Sequence, residues 1–280
     1  MGTQKPRGKR RQMARRLRTL RMQARMSLEE AAARMEWSSS KLGRWESGEH
    51  LTEPHGLKSL LDIYGVTADR WPEILELSRA ARQHGWWRAY GLDDKGYIPL
   101  EADATLVKEF ALAYVPGLLQ TTEYARAPFE ASADLRSAEK LRNLVAVRMI
   151  RQKRLTDPDD PLRLVAIMPE AVLSCPVGGP AVMAGQLDQL ISVAALDTVT
   201  MQVLPTSAGA HASMASGVIL LSFGDLGEPD TMFIEHSMGS THSEKEGEVA
   251  RATLKFDRLR SDALSPEDSI ALIRRVAERS

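Results

Sequence analysis

Cysteine is nearly absent. Cys175 stands alone in 280 residues, which excludes an internal disulfide framework and any thiolate-rich metal site, and suits a reducing cytoplasm. No apolar run reaches the roughly 18 to 20 residues that a bilayer-spanning helix needs, and the basic N-terminal end lacks an apolar signal core. No membrane partner is expected. The six histidines (His50, His55, His84, His211, His236 and His242) match no metal-ligand spacing, so no metal and no cofactor are expected. Internal repeats, long low-complexity segments and glycine-rich phosphate-binding patterns are missing as well. The most telling absence is acid: Met1 to Arg25 contains no Asp or Glu.

What is there is a divided charge. The formal net charge is zero, yet residues 1–50 hold 13 Lys and Arg against 5 Asp and Glu, and the remainder holds 24 against 32. Lys5, Arg7, Lys9, Arg10, Arg11, Arg15, Arg16, Arg18, Arg21 and Arg25 all precede the first acid. Such asymmetry marks a nucleic-acid-facing end, and the acidic remainder is repelled by phosphate. Length and an apolar content of 43% fit about two domains, the second with a substantial core.

The periodicities divide the chain further. Residues 1–9 read as a basic disordered arm, and residues 10–84 as five helices. Met13, Leu17, Leu20 and Ala24 form one apolar face. Ser27 and Glu30 have capping-box spacing ahead of Leu28, Ala31, Ala32 and Met35. Ser38 caps a helix with Leu42 and Trp45 inward, and Gly48 ends it. Pro54 precedes Leu57, Leu60, Leu61 and Tyr64, with Gly65 as a stop; Pro72 opens a fifth helix to about His84. Residues 85–96 are a turn-rich linker in which Trp86, Trp87 and Tyr90 are expected to supply buried packing area. Residues 97–280 read as a mixed domain. Its expected helices are Asp134–Leu155, Pro180–Ala195, Glu244–Asp262 and Pro266–Glu278; its expected strands are Leu162–Met168, Val199–Leu204, Val218–Phe223 and Thr231–Glu235. The fold class is therefore multidomain: an all-α five-helix domain followed by a mixed α+β (α/β-like) effector or partner-binding domain.

Residues 27–48, SLEEAAARMEWSSSKLGRWESG, carry the functional expectation. About eight helical residues, a break at Glu36, Trp37 and Ser38, and a second helix make helix-turn-helix spacing, in which the second helix leads into the major groove. Ser38, Ser39, Ser40, Lys41 and Arg44 are the candidate DNA contacts on that helix, since Ser meets either base edge and Lys or Arg reaches guanine O6 and N7. Arg10 and Arg11 represent the basic first helix as candidate phosphate contacts. A steep salt dependence of binding is expected.

These residues resemble the Cro/C1-type (XRE) helix-turn-helix family. MSLEEAA (Met26–Ala32) and EWSSSKLGRWESG (Glu36–Gly48) stand where that family has its two conserved runs. Leu28 replaces a Gln that typically touches phosphate, Ser39 a Gln that typically reads adenine, and Glu36 a turn Gly. The resemblance implies a structural role for Glu46, bonding backbone in the following turn. RQHGWW (Arg82–Trp87), VPGLLQT (Val115–Thr121), PVGGP (Pro176–Pro180) and QVLPTSAGAH (Gln202–His211) resemble segments of large actinobacterial, WhiJ-like regulators. That second resemblance implies a transcription regulator with a C-terminal domain of unknown function, often paired with a small BldB-like or related partner protein; the cytoplasmic expectation rests on the lone cysteine and the lack of a spanning run. A homodimer on a double-stranded DNA operator is the expected assembly.

In the second domain, Glu170, His211 and Glu235 are the candidate ligand or partner site, each placed after or at the end of a strand, where sheets tend to bind ligands. Ordinary loop polarity is the plainer reading, and no catalytic residue is assigned. Arg142, Arg148, Arg151, Lys153 and Arg154 form a basic run, expected as a solvated helix face. Val177 to Pro180 reads as a turn into a helix. The leading expectation is a sequence-specific DNA-binding transcriptional regulator, not an enzyme, whose C-terminal domain senses a small protein or ligand. An antitoxin-like protein that sequesters a small partner, or an enzyme domain fused to an autoregulatory helix-turn-helix, are the alternatives.

Overall fold

The computed structural model describes residues 6–51, 53–94, 96–132, 137–224, 228–236 and 238–279. The chain forms two units: a helical one that ends at Arg88 and takes in Glu228, and a second built from residues 89 onward.

The helical unit contains α1 (Pro6–Gln23), α2 (Leu28–Arg34), α3 (Ser39–Glu46), α4 (Pro54–Ile63) and α5 (Trp71–Arg82). Of the arm expected over residues 1–9, residues 1–5 lie outside the described residues and residues 6–9 are the first turn of α1. The caps follow the sequence. Ser27 accepts from the Glu30 N–H while Glu30 accepts from the Ser27 N–H, a reciprocal capping box. Leu17, Leu42, Leu57, Leu60, Leu61 and Ile74 are completely buried between the helices, each contributing about 1.5–3 kcal/mol of hydrophobic stabilisation. Trp37 and Trp45 meet edge to face, with centroids 4.3 Å apart. Gly56 makes room for them: a Cβ there would stand 2.7 Å from the Trp45 ring.

The ends of α1, α2 and α4 share one turn geometry. In α2 the Trp37 N–H donates to the Ala32 carbonyl and the Glu36 N–H to the Ala33 carbonyl, the paired bonds of a Schellman cap. That cap puts its C′ residue in the left-handed region, where glycine is the natural occupant. Gly65 serves α4 in this way, but Glu36 (φ +55°) and Arg25 (φ +55°) do so with a side chain.

The second unit runs α6 (Tyr97–Asp103), β1 (Leu106–Phe110), α7 (Thr122–Glu130), α8 (Ala138–Gln152), β2 (Arg163–Pro169), α9 (Ala171–Ser174), α10 (Pro180–Val193), β3 (Val199–Leu204), β4 (Val218–Ser222), β5 (Thr231–His236), β6 (Gly239–Ser243), α11 (Glu246–Asp262) and α12 (Pro266–Ala277). Its six strands lie in the order β3-β2-β1-β4-β5-β6. The first three are mutually parallel, and β4 to β6 continue antiparallel. One face is covered by α11, whose Val249, Ala252, Phe256 and Leu259 pack with Phe110, Ile167, Val218 and Leu220.

This is the mixed domain expected, with additions. β1, β6, α6, α7 and α9 are not among the elements read from periodicity. Residues 134–136, the start of the helix expected over Asp134–Leu155, lie outside the described residues, and α8 begins at Ala138, capped by Ser137. In PVGGP, Gly178 (φ +74°) and Gly179 (φ +94°) turn the chain into α10. Among the described residues, no helix is long and apolar enough to cross a membrane.

Candidate functional site

The first candidate surface is α3. Leu42 and Trp45 are its buried stripe. Ser40, Lys41 and Arg44 are exposed, and Ser39 is half-buried. Ser38 is committed to the cap, its hydroxyl accepting from the Lys41 N–H at 3.2 Å. The Lys41 ammonium lies 4.0 Å from the Trp37 ring centroid, a cation–π contact that restrains an exposed cation beside the helix N-terminus. Leu28, where a phosphate-touching Gln was the resemblance's expectation, packs against the helical core instead.

Several basic residues of α1 turn out to be engaged within the unit. Arg10 Nε donates to the Ala81 carbonyl at 3.0 Å, tying α1 to the end of α5. Arg11 and Arg15 reach the two carboxylate oxygens of Glu228, at 3.0 and 2.8 Å. Arg21 grips both oxygens of Glu46 at 2.8 Å and the Met26 carbonyl at 2.8 Å. Glu46 is thus structural, as the resemblance implied, but through Arg21 rather than the backbone of the following turn. Its hydrogen bonds hold the Arg21 guanidinium above the usual arginine range.

The second candidate is a cavity on the sheet face opposite α11. Pairing aligns Glu109 of β1 with Ile219 of β4, and Ile219 with Phe233 of β5. Glu235, two residues on from Phe233, returns to the same face by the period-two alternation of a strand. These four side chains line a cavity of about 290 Å³ together with Leu144, Arg148 and Arg151 of α8 and with Tyr97 and Tyr114. A second hollow of about 400 Å³ shares Glu109, Tyr114 and Glu235 and extends past the end of β1 to His236.

The α8 arginines overturn an expectation. Arg142 and Lys153 are exposed, but Arg151 and Arg154 are buried and Arg148 is half-buried. The run is not a solvated face, because Arg151 and Arg154 turn to buried partners on and just after α6. Arg151 makes a bidentate pair with Glu101 of α6 at 2.6 and 2.5 Å. Arg154 donates to the Glu101 and Ala104 carbonyls, both at 2.9 Å, and to Asp160 at 3.2 Å. It therefore closes the C-terminal end of α6, where carbonyls lack helical partners.

VPGLLQT builds the wall beside Arg148. Gln120, fully buried, donates to the Val115 carbonyl and accepts from Arg148, both at 2.6 Å. Gln152 donates to the Gly117 and Gln120 carbonyls, and Gln186 donates to the Leu119 carbonyl and accepts from the Thr121 N–H. Three glutamines thus satisfy a buried irregular loop, whose backbone groups would otherwise be unpaired. Arg148 also stacks on Phe129, 4.6 Å from the ring centroid.

Burial dominates the titration of this wall. It pushes the Glu109 carboxyl up to about 7, against the opposing pull of Arg151, and the Arg148 guanidinium down to about 10. Tyr97 and Tyr114 are raised by the same loss of solvation.

Of the three residues proposed for a second-domain site, only Glu235 lines this cavity. Sheet direction brings the ends of β2, β3 and β5 to one edge, so Glu170, His211 and Glu235 share that edge. They do not share a set of contacts. The Glu170 carboxylate accepts from the Thr206 N–H at 2.8 Å, while the His211 ring packs against Phe110 at 5.4 Å. Glu109, Arg148 and Tyr114 were missed. The signal for Glu109 was its place in LVKEF, where alternation sets it on the face of buried Val107.

Comparison with known proteins follows the same division. A helix-turn-helix domain model matches residues 12–73, and the model for a domain of unknown function (DUF5753) matches residues 95–275. No curated protein and no solved structure matches this chain. With more than half its length covered by the second model and a DNA-binding module ahead of it, the chain belongs to the family defined by the domain of unknown function DUF5753.

Proposed function

We propose that this chain regulates transcription by binding a specific operator in double-stranded DNA as a homodimer, with α3 as the XRE-type recognition helix. The exposed edge formed by Ser40, Lys41 and Arg44, opposite the buried Leu42 and Trp45, carries the reading. Serine and arginine at successive outward positions suit base edges, and the restrained Lys41 suits phosphate or guanine. The second unit serves as the signal receiver, and its charged cavity favours a small molecule over a small partner protein as the signal.

Selection of binding sites from a random duplex library with the full chain tests this. The expected result is one enriched sequence with two half-sites about one helical turn apart. Arg44→Ala should then lose about 1–3 kcal/mol on that sequence, with loss of discrimination at one position. Enrichment no better than non-specific binding would overturn the reading.

A further inference from the structure

We propose that the cavity between α8 and the β1–β4–β5 face binds a small zwitterion of the α-amino-acid class, its carboxylate held by Arg148 and its ammonium by Glu109 and Glu235.

Two kinds of charge stand side by side on this wall, one paired and one not. Arg151 and Glu101 satisfy each other at 2.6 and 2.5 Å. Arg148 and Glu109, which line the same cavity, do not. Among the described residues Arg148 forms no salt bridge; its hydrogen bond goes to the neutral Gln120, and its Nε is buried with no partner. The Glu109 carboxylate makes no hydrogen bond or ion pair with any described residue, and the residue is only 9% exposed. A buried charge without a partner is costly, and here a cation and an anion face one space without closing on each other.

The missing partners define the ligand. Arg148 lacks an anion with acceptor oxygens, which a carboxylate supplies. Glu109 lacks a donor, and Glu235 adds a second carboxylate toward the same space; an ammonium answers both. Glu101 is already paired with Arg151, while Tyr97, Tyr114 and His236 complete the titratable groups around the two hollows. Burial disfavours the charged forms of both Glu109 and Arg148, so a ligand carrying both charges restores both at once. Leu144, Phe129, Ile219 and Phe233 leave an apolar side for the ligand's side chain. A volume of about 290 Å³ lies at the lower end of small-molecule sites and suits a single amino acid.

This deepens the reading of the second unit as a signal receiver and rests on it for the consequence of binding. Calorimetry reads the cavity whether or not the chain binds DNA, and duplex selection reads α3 whether or not the cavity fills. The full chain is titrated with each of the twenty common L-amino acids at up to about 10 mM, and with phenethylamine and 3-phenylpropionate as single-charge probes. At least one amino acid is expected to bind. For phenylalanine or another aromatic ligand, each single-charge probe should bind at least about tenfold more weakly, the factor set by one lost charge-assisted bond. Glu109→Gln should weaken the amino acid about tenfold or more and spare 3-phenylpropionate; Arg148→Met should do the converse with phenethylamine. Circular dichroism checks folding, and Glu235→Gln reads the ammonium side if Glu109→Gln does not fold. Failure of all twenty to bind, or affinities unchanged in the folded variants, overturns the proposal.

Discussion

Replacing Glu36 by glycine should stabilise the helical unit. Glu36 occupies the C′ position of the α2 cap at φ +55°, where the Cβ of an L-residue crowds the backbone at a cost of about 1–2 kcal/mol. Glycine escapes that cost but gives the unfolded chain more freedom, which takes back about 0.5–1 kcal/mol. The net gain is about 0.5–1 kcal/mol, or about 2–8 °C in Tm for a domain of this size. The assay is built into the sequence: Trp37, Trp45, Trp71, Trp86 and Trp87, the chain's five tryptophans, all belong to the helical unit. Tryptophan fluorescence of the heated full chain therefore follows that unit. Two controls separate backbone strain from charge. Glu36→Ala removes the carboxylate but keeps the Cβ, and should leave Tm near the starting value. Glu36→Asn should fall between, because asparagine tolerates the left-handed region better. A gain from alanine equal to that from glycine would refute the φ reasoning and assign the effect to charge.

The Arg21–Glu46 pair and Glu109 give two further expectations. Arg21→Met strands the Glu46 carboxylate, whose side chain is 6% exposed, and should cost about 3–5 kcal/mol in urea unfolding followed by tryptophan fluorescence. Arg21→Met with Glu46→Leu should recover most of that loss, and simple additivity of the two changes would refute the coupling. Glu109 is raised from 4.5 to about 7 in the folded protein, so between those values the native state holds a proton that the unfolded chain releases. Stability present below the lower value is then lost as pH rises through the upper one, by about 3 kcal/mol. Calorimetry of Glu109→Gln should show that slope removed from the second unit's transition; an unchanged slope would contradict the assignment.

The helical unit was legible because its determinants are local. Ser27 and Ser38 cap the helices they precede, and Leu42 and Trp45 are inward on spacing alone. The second unit depends more on remote partners. LVKEF escapes notice as a strand because Lys108 and Glu109 interrupt its apolar character, and only its place between β2 and β4 holds it in the sheet. β6, GSTHS, is almost wholly exposed and owes its extended state to pairing with β5. The arginines of α8 and the turn after it mislead for the same reason: nothing in their own segment reveals Glu101, fifty residues before Arg151, or the carbonyls that bind Arg154. The cavity was accordingly invisible, since its floor needs β1 to be a strand and its roof needs α8 to face inward.

Partner choice also changes what the acid-free N-terminal stretch means. Counting its ten basic residues treats each as a cation offered to phosphate. Arg10, Arg11, Arg15 and Arg21 instead bond Ala81, Glu228 and Glu46 within the helical unit. A guanidinium held by a carboxylate contributes little to the counterion release that makes DNA binding salt-dependent, because the ion pair has already taken the counterion's place. The sequence-wide charge therefore overstates the phosphate footprint. If the chain binds DNA as proposed, Arg18 and Arg25, exposed on and just after α1, are better placed than the bonded arginines to meet phosphate, and Arg44 of α3 is the proposed selective contact. Charge counting thus includes four arginines that already serve the fold, and the cations it leaves for phosphate are fewer than the ten it counts.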